Sequence, residues 1–450
     1  MLRRKKQPSG KAEQEFNFRT HAWKQFRKNK PALWSLRIMV LFVLIAVLAP
    51  VIANEKPLYM RIGGETFWPA FTTKTNYTLT DPQTGAVKSI ELELTDWKRM
   101  EFEAVVWAPI AWSPGRTDDV NMRYVGPSDD QRFIDSKGDT LYMPGRFSHI
   151  LGTNSLGEDI AAGLIHGSRV SLSIGLLSMG IAAILGLLLG SLAGYFGNEK
   201  LKTTRARLWL TIFAIFPAWF YAFSVRNIVL RDALNESGSS FLMQLLISIF
   251  VFAFIIFIFN RIGKIIGRGA FLGKQVKVPV DSYISRFIEI LNSIPTLILI
   301  ISLSALAKEP SIIYVMVIIG LTSWTGIARF TRAEFMKIRG MDYIQAAQSM
   351  GFSEKRIMLR HALINGMAPS LVSIAFGIAN AIIAESSLSF LGIGVPPDMV
   401  TWGKLLAQGK EYYQAWWLVV FPGIAIFITV TSYNLIGDGL RDAFDPKLKR

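Results

Sequence analysis

Long apolar stretches alternate with polar stretches along the chain, and eight apolar stretches approach or reach the length of a membrane crossing. A transmembrane helix needs about 20 apolar residues. The predicted spans are residues 32–53, 170–192, 208–224, 241–259, 287–306, 312–330, 371–391 and 416–436. Pro295 lies inside the fifth span and is expected to kink it. The pattern predicts an all-α polytopic membrane protein with about eight transmembrane helices and both termini in the cytoplasm.

The first two segments of the chain differ sharply in charge. Residues 1–31 carry ten Lys or Arg and only two acidic residues, which predicts a basic cytoplasmic tail. Residues 32–53 follow as the first transmembrane helix. A cleaved signal peptide is the alternative, because Val51-Ile52-Ala53 could precede a cleavage site. The long basic segment and the full-length apolar run favour an uncleaved anchor.

Residues 54–150 form a polar segment between the first and second spans. They contain 11 Lys or Arg against 14 Asp or Glu, and Gly, Pro, Asp and Thr separate short strand-like pieces. Residues 76–80 and 89–94 flank Asp81-Pro82-Gln83-Thr84-Gly85, a sequence typical of a turn between two strands. The segment predicts a small β-rich extracytoplasmic domain.

Residues 198–280 predict a helical hairpin. They contain the apolar runs 208–224 and 241–259, a short polar connection between them, and basic clusters on both outer sides. Two crossings would return the chain to the cytoplasm, in agreement with the positive-inside rule. The first run is short and contains Pro217, so a re-entrant or interfacial pair is the alternative.

Composition narrows the function classes. Hydrophobic residues make up 51% of the chain, which is too apolar for an ordinary soluble enzyme. Cysteine is absent, which excludes disulfides, thiolate metal sites and cysteine nucleophiles. The net charge of +16 would suit nucleic acid, but most of the excess flanks the apolar spans. Nucleic-acid binding is therefore disfavoured, and contact with membrane lipid is expected.

Residues 342–366 form a polar, helix-favouring stretch between two apolar spans. Residues 345–350 are mostly good helix formers, and Gly351 permits a turn that other residues resist. Ser353 is predicted to cap a second short helix that runs towards His361. The stretch therefore predicts a helix–turn–helix knob at a membrane surface, basic in its second half.

The knob resembles the cytoplasmic coupling loop of ABC importer permeases. The family pattern is Glu-Ala-Ala, three residues, Gly, and later a hydrophobic-x-Leu-Pro sequence. This chain has Gln345-Ala346-Ala347, then Gly351, then His361-Ala362-Leu363-Ile364. Gln345 therefore replaces the acidic residue and Ile364 replaces the proline.

Two further motifs narrow the resemblance to dipeptide and oligopeptide permeases. Residues 149–159 are similar to the family's His-x-Leu-Gly-Thr-Asp-x-x-Gly-Arg-Asp, with Asn154 and Glu158 as departures. The charge pairing that the family's Asp and Arg could make is thus in doubt here. Residues 437–446 resemble the family's terminal Gly-Asp-Gly-Leu-Arg-Asp-x-x-Asp-Pro. A finer similarity, in residues 52–58 and 107–110, is to Yej-type peptide permeases, which also carry an extended outer domain.

The resemblance implies a six-helix ABC type I importer permease core, residues 151–197 and 281–450, with residues 198–280 as an inserted transmembrane hairpin. It implies a permease subunit of an ATP-driven, binding-protein-dependent importer of di- or oligopeptides in the bacterial inner membrane. The implied partners are a homologous permease, two ABC ATPase subunits and an extracytoplasmic peptide-binding protein. The expected coupling-loop residues are Asp342, Tyr343, Gln345, Ala346, Ala347, Gly351, Ser353, Arg356, Arg360, His361, Leu363 and Asn365.

Within that loop, the small residues and the basic residues have different expected roles. Ala346, Ala347 and Gly351 are expected to allow close packing. Arg356, Arg360 and His361 are expected near the partner surface. An ordinary hydrogen-bonded loop histidine is the alternative for His361.

The chain lacks a phosphate-binding loop. Residues 267–275 are rich in glycine, but their spacing is wrong and Gln275 stands where Ser or Thr should bind magnesium. We therefore expect this chain to be a transporter subunit rather than an enzyme, to bind no cofactor, and to rely on a partner ATPase for ATP and Mg.

Glu385 lies deep in an apolar span, with Ser386 and Ser389 close by in sequence. Intramembrane carboxylates are costly and usually face a cavity or a partner. One hypothesis is that these residues line the translocation path and contact the cationic amine of a peptide. The other, favoured, is that Glu385 makes hydrogen bonds that anchor its helix to a neighbour.

Three alternative functions remain open at this point. Nickel or another small solute could replace peptides, because sister permeases share these motifs. A solitary proton-coupled carrier would predict paired intramembrane acids or histidines and an internal repeat, which the sequence lacks. A membrane-anchored enzyme would need a site in residues 54–150, where no catalytic motif occurs.

Overall fold

The computed structural model describes residues 18–72, 76–80, 87–91, 95–100, 102–134, 138–236, 238–269, 271–305 and 310–444. The predicted tail up to residue 17, the turn at residues 81–85, the strand end at 92–94, Leu306 and the chain after Phe444 lie outside these residues. Seven described helices are long and apolar enough to cross a membrane. A helix pair bent by 80° adds an eighth if it counts as one span. The polytopic helical fold is confirmed, while the exact count and the location of the termini stay predictions.

Helices account for most of the described elements. The helices are α1 (Phe18–Phe26), α2 (Lys30–Ile52), α3 (Ile160–Phe196), α4 (Arg205–Trp219), α5 (Asn227–Glu236), α6 (Gly238–Ile266), α7 (Val280–Asn292), α8 (Thr296–Ala305), α9 (Ile312–Ile338), α10 (Asp342–Ser349), α11 (Glu354–Arg356), α12 (Leu363–Gly366), α13 (Ala368–Phe390), α14 (Trp402–Gln408) and α15 (Trp417–Phe444). The strands are β1 (Tyr59–Ile62), β2 (Glu65–Phe67), β3 (Asn76–Thr80), β4 (Val87–Glu91), β5 (Ala104–Val106), β6 (Arg132–Ile134), β7 (Thr140–Tyr142), β8 (Lys202–Thr204) and β9 (Gln275–Lys277).

The chain divides into two compact units. The first contains the described residues up to 188 together with 291–331 and 363–444, and the second contains 189–290 and 332–362.

In the first unit, α2 packs against α15 through small residues. Asn29 caps α2, because its Oδ1 accepts a hydrogen bond from the Ala32 amide at 3.1 Å. Asn29 Nδ2 also donates to Asp442 of α15 at 2.9 Å. Ala32 and Gly439 meet where the two helices cross, and both are buried. Part of the terminal motif, which resembles that of the family, therefore serves to pack the first transmembrane helix.

The segment between α2 and α3, residues 54–159, is called here the α2–α3 domain. Its sheets are small: β1 pairs with β2 and β5, β3 pairs with β4, and β6 pairs with β7, all antiparallel. Its hydrophobic core contains buried Met60, Trp97, Trp107 and Ala111. The predicted small sheets are confirmed, although the second predicted strand begins at Val87 rather than residue 89.

Helix α3 is longer than the predicted span at residues 170–192. The Asp159 carboxylate starts it by accepting a hydrogen bond from the Ala162 amide at 2.6 Å. Glycines then allow close helix contacts: a Cβ at Gly175 would lie 2.9 Å from the Ile382 side chain. The small residues of α3 therefore allow it to pack closely against α13.

In the second unit, α4 and α6 pack along each other. The antiparallel pair of β8 and β9 joins the segment before α4 to the segment after α6. The helix α5 connects α4 and α6, where the sequence predicted only a short polar link. Arg226 ties this connection to α6 by donating from Nε to Ser248 at 3.0 Å and from Nη2 to Gln244 at 2.6 Å. The hairpin's role as two full crossings stays a prediction.

The predicted kink at Pro295 is a sharp break. Helix α7 ends at Asn292 and α8 begins at Thr296, and the two helices differ in direction by 80°. Proline cannot donate a backbone hydrogen bond and clashes with the preceding turn, which explains the break at this position.

Candidate functional site

The predicted knob at residues 342–366 folds as a helix–turn–helix. Helix α10 ends at Ser349, and Gly351 follows its C-cap residue Met350 with a φ of +76°, in the left-handed region. The Gly351 amide donates to the Gln348 carbonyl at 2.9 Å, and the Phe352 amide donates to the Ala347 carbonyl at 3.2 Å. These two bonds form a Schellman motif, a helix ending that favours glycine. Gly351 therefore supplies a backbone conformation, and a Cβ there would meet no atom of this chain within 4 Å.

The second half of the knob starts at the predicted position. Ser353 is the N-cap residue of α11, but its side chain makes no capping hydrogen bond. The helix continues through a π-helical turn at Ile357–Ala362 into α12. The predicted capping residue is thus in place, whereas its predicted capping role is not seen.

The knob buries one face and exposes the other. Ile344 and Ala347, three residues apart on α10, are buried. Of the predicted loop residues, His361 and Leu363 are half-buried, and the exposed ones are Asp342, Tyr343, Gln345, Ala346, Gly351, Ser353, Arg356, Arg360 and Asn365. Sequence reasoning missed three exposed apolar side chains in the same stretch, Met350 at 65% exposure, Ile364 at 64% and Leu359 at 39%.

Phe352 organises the basic side chains beside the turn. Its ring stacks against that of His361 with centroids 5.9 Å apart, and the Arg356 guanidinium carbon lies 4.4 Å from its centroid. This arrangement uses His361 for packing and positions Arg356 by a cation–π contact.

Glu354 joins the second helix of the knob to the end of α3 and the residues that follow it. Its carboxylate accepts a hydrogen bond from the buried Tyr195 hydroxyl, at the end of α3, and pairs with Lys200 Nζ at 3.1 Å. Burial alone would raise the pKa of Glu354, but the Tyr195 hydroxyl and the Lys200 ammonium hold it below its ordinary value. Sequence reasoning missed this contact, since an acid in the first turn of a helix only indicates a favourable dipole interaction.

A bidentate ion pair joins α7 and α9 in the second unit. Arg332 of α9 donates from Nη2 to Asp281 Oδ2 at 2.8 Å and from Nε to the other carboxylate oxygen. A Cβ at Gly194 of α3 would lie 2.6 Å from the Phe335 Cβ, so α3 and α9 approach closely there. The fork geometry of arginine makes such pairs directional. The helices around the knob are therefore joined by specific contacts.

Glu385 is completely buried in α13 of the first unit. Its Oε1 accepts from Ser389 Oγ at 2.7 Å, and its Oε2 lies 3.4 Å from the hydroxyls of Ser171 and Ser386. Ser386 and Ser389 are buried as well. The structure thus brings the three predicted membrane residues together and adds Ser171 of α3.

The glycine-rich segment before α3 builds a buried ionic cluster. His149 Nδ1 lies 2.8 Å from Asp159, and its Nε2 lies 3.2 Å from Asp118. Burial alone would lower the pKa of His149, but the two carboxylates raise it above its ordinary value. Where the family's charge pair was in doubt, Asn154 Nδ2 donates to the Glu158 carboxylate at 2.5 Å. An amide–carboxylate hydrogen bond therefore links these two positions.

Comparison with known proteins decides the family. Residues 265–450 match the family described as the binding-protein-dependent transport system inner membrane component, and residues 17–73 match the N-terminal TM domain of oligopeptide transport permease C. A peptide transport system permease of Brucella suis is 32% identical over 309 residues, covering 68% of this chain and 77% of that protein. The chain belongs to the ABC transporter permease family.

Two further relatives differ in how much of this permease they cover. The inner membrane ABC transporter permease protein YejE of Escherichia coli is 27% identical over 425 residues, 94% of this chain and 96% of YejE. The di/tripeptide transport system permease protein DppC of Pseudomonas aeruginosa is 31% identical over 306 residues, 68% of this chain and 74% of DppC. The family resemblance and the Yej-type similarity are both confirmed. These relatives are transporter subunits, so the membrane-anchored enzyme is set aside.

Proposed function

We propose that this permease is the transmembrane subunit of an ATP-driven, binding-protein-dependent importer of di- or oligopeptides. It forms half of a translocation pathway with a homologous permease subunit. Two ABC ATPase subunits hold ATP and Mg, and an extracytoplasmic binding protein delivers the peptide. The names of the Brucella and Pseudomonas relatives support the peptide class. Nickel or another small solute is the alternative cargo.

The observation that carries the proposal is the surface of the knob. Tyr343, Met350 and Leu359 expose apolar side chains within this polar stretch, which also exposes Arg356 and Arg360. Exposed apolar side chains rimmed by polar residues are typical of an interaction surface. We infer that this surface docks onto the ATPase at the cytoplasmic side of the membrane.

The contacts beneath the knob suit it to transmit force. Ile344 and Ala347 are buried, and Glu354 is bonded to Tyr195 and Lys200. A rigid element seated in a moving partner converts closure of that partner into a tilt of the attached helices. Nucleotide-driven movement of the ATPase would thereby reach the membrane helices.

The other sites receive roles consistent with this arrangement. With a cytoplasmic basic tail, α2 exits to the outside, so the α2–α3 domain lies on the extracytoplasmic face. Glu385 acts as an anchor between α13 and α3, because its oxygens are taken up by Ser171, Ser386 and Ser389. Peptide selection then lies mainly with the binding protein.

Co-purification of an ATPase subunit tests the docking surface. The affinity-tagged permease is co-expressed with the candidate ATPase subunits of its source, and recovery is compared for wild type and Met350→Glu. We expect wild type to retain the ATPase and the variant to lose at least tenfold of it, since the new carboxylate replaces an apolar contact. Tyr142→Glu, at a side chain that is 69% exposed in the α2–α3 domain, is the matched control.

The co-purification can refute either the docking surface or the importer itself. Equal recovery with Met350→Glu and with wild type would refute docking through the knob, and no recovery with any folded variant would refute the ATP-driven importer. Uptake of a labelled tripeptide and of nickel by cells that carry the assembled importer then separates the two cargo classes.

A further inference from the structure

A cavity of about 270 Å³ lies in the α2–α3 domain. Trp97, Lys98, Trp112 and Phe147 contribute to its lining, together with the acidic side chains of Asp96 and Asp118 and others. Its volume is at the small end for ligand pockets, which span about 300–1,000 Å³. It therefore suits a fragment such as the end of a peptide.

Lys98 is the unusual member of this lining. Its Nζ is buried over the ring of Trp112 and 5.6 Å from the Phe147 centroid, yet it has no hydrogen-bond acceptor among the described residues. The Trp97 Nε1 is also buried and has no hydrogen-bond acceptor among the described residues. An ammonium and an indole N–H that are both removed from water without an acceptor are costly to bury. Two unsatisfied donors on residues that line one cavity favour a ligand that brings acceptor oxygens.

The neighbouring acids are already committed to other partners. Glu55 pairs with Arg116 at 3.1 Å, Asp96 pairs with Arg99 at 2.8 Å, and Asp118 pairs with His149 at 3.2 Å. No ion pair of Lys98 occurs among the described residues. Burial lowers the pKa of Lys98 to about 7, despite opposing attraction from Asp118 and Asp159. The described residues supply no counter-charge in contact with Lys98, which leaves that position to a bound molecule.

The surroundings select the kind of anion. Four acidic residues line the cavity, Glu55, Asp96, Asp118 and Asp119, against the cations of Lys98, Arg99 and Arg116, so the lining has no excess positive charge to hold a multiply charged anion such as phosphate. Because Arg99 and Arg116 are paired with Asp96 and Glu55, a single carboxylate matches the ammonium of Lys98. The rings of Trp112 and Phe147 offer apolar surface for the residue that carries this carboxylate.

We propose that this cavity binds the C-terminal carboxylate of a short peptide, with Lys98 as its ionic partner and Trp97 as an additional donor. The peptide class rests on the proposed function, whereas the carboxylate follows from the cavity itself. Trp112 is well placed to hold the site rigid: its Nε1 donates to the Phe147 carbonyl at 2.8 Å, and its ring stacks on His149 at 4.2 Å.

Thermal unfolding of the full-length permease in detergent tests the site. N-acetyl-dialanine carries a free carboxylate, and its C-terminal amide has the same size without the charge. At millimolar concentration, we expect the acid to raise the unfolding temperature by about 2 °C or more and the amide to leave it unchanged, since only the acid pairs with Lys98.

Lys98→Met removes the ammonium and keeps a chain of similar length. We expect this variant to unfold at or above the wild-type temperature, because an unpaired buried amine is gone, and to lose the response to the acid. Arg61→Met is the matched control, since the Arg61 side chain is 53% exposed, is paired with Glu103 and does not line the cavity, and it should keep the response.

Three results would overturn the proposal: an equal response to acid and amide, an undiminished response of Lys98→Met to the acid, or no response of folded wild type to either probe. The assay needs no ATPase. A response to the acid together with failed ATPase co-purification would therefore keep the carboxylate site and reject the importer. The opposite pair of results would keep the importer and reject the site.

Discussion

Two buried acidic sites in this permease are held by different chemistry. In the α2–α3 domain, Asp118 and Asp159 are paired with the imidazole of His149, which is itself completely buried. In α13, Glu385 is as deeply buried, but the described residues give it only hydroxyl donors and no ion pair. One site neutralises charge with charge, and the other surrounds a carboxylate with hydrogen bonds.

The difference reflects which residues can reach each carboxylate as hydrogen-bond or ionic partners. Ser386 and Ser389 follow Glu385 by one and four residues on the same helix, so two of its donors come from its own turn. His149 instead joins Asp118, which is 31 residues away, to the first turn of α3 through Asp159. The ionic cluster therefore links a loop to a membrane helix, and removing its central cation should cost more than removing a hydroxyl contact.

Replacing His149 by leucine should give the largest effect. Two buried carboxylates would lose their common cation, and breaking a buried pair costs about 3–5 kcal/mol. Chemical unfolding of the detergent-solubilised chain measures the loss. A loss below about 1 kcal/mol, comparable with an exposed ion pair, would mean that the cluster contributes little to stability.

Replacing Glu385 should have a smaller effect that depends on the new side chain. Glu385→Leu leaves buried serine hydroxyls without an acceptor and should cost about 1–3 kcal/mol. Glu385→Gln keeps an amide oxygen for Ser389 and should cost less. Unfolding of both variants is to be compared with peptide uptake by the assembled importer. Lost uptake by a fully stable Glu385→Gln variant would contradict the anchor and favour contact with the peptide amine.

The stability of the His149 cluster should depend on pH. The His149 pKa is raised from 6.5, so its contribution to stability is complete below that value and is lost as pH rises through the raised pKa. Burial alone would raise the Asp118 pKa, but His149 and Asn121 lower it below 3.8, so its contribution is lost as pH falls through that lowered value. The cluster is most stable between these limits. Unfolding temperatures measured from below pH 3.8 to well above pH 6.5 test this dependence. The His149→Leu variant should lack the loss of stability on the alkaline side.

The smallest effect is expected at an exposed ion pair. Arg99 and Asp96 lie 2.8 Å apart, but their side chains are 46% and 50% exposed. Arg99→Gln should therefore change stability by less than about 1 kcal/mol. It serves as the control for the two buried sites. A loss as large as that of His149→Leu would show that burial does not separate these pairs.

Some features of the knob could be predicted from the sequence and others could not. The turn at Gly351 follows from one residue and its neighbours, because a left-handed helix end strongly favours glycine. Ile344 and Ala347, on the buried face, lie one helical turn apart, so this face agrees with the helical period. The contact of Glu354 with Tyr195 did not, since the two residues are 159 positions apart and neither carries a local signal for the other.

The sequence by itself determined the features that depend on local physics. Apolar runs of transmembrane length, the break at Pro295, the turn at Gly351 and the family motifs are all legible within short windows, because helix length, proline and glycine act on their own neighbours. Only the tertiary structure decided which buried polar groups meet. Ser171 lies 214 positions from Glu385, and Trp112 reaches both Lys98 and His149 from another part of the chain. Such partners are selected by packing and by the need to satisfy every buried charge and donor, and no local pattern encodes that selection.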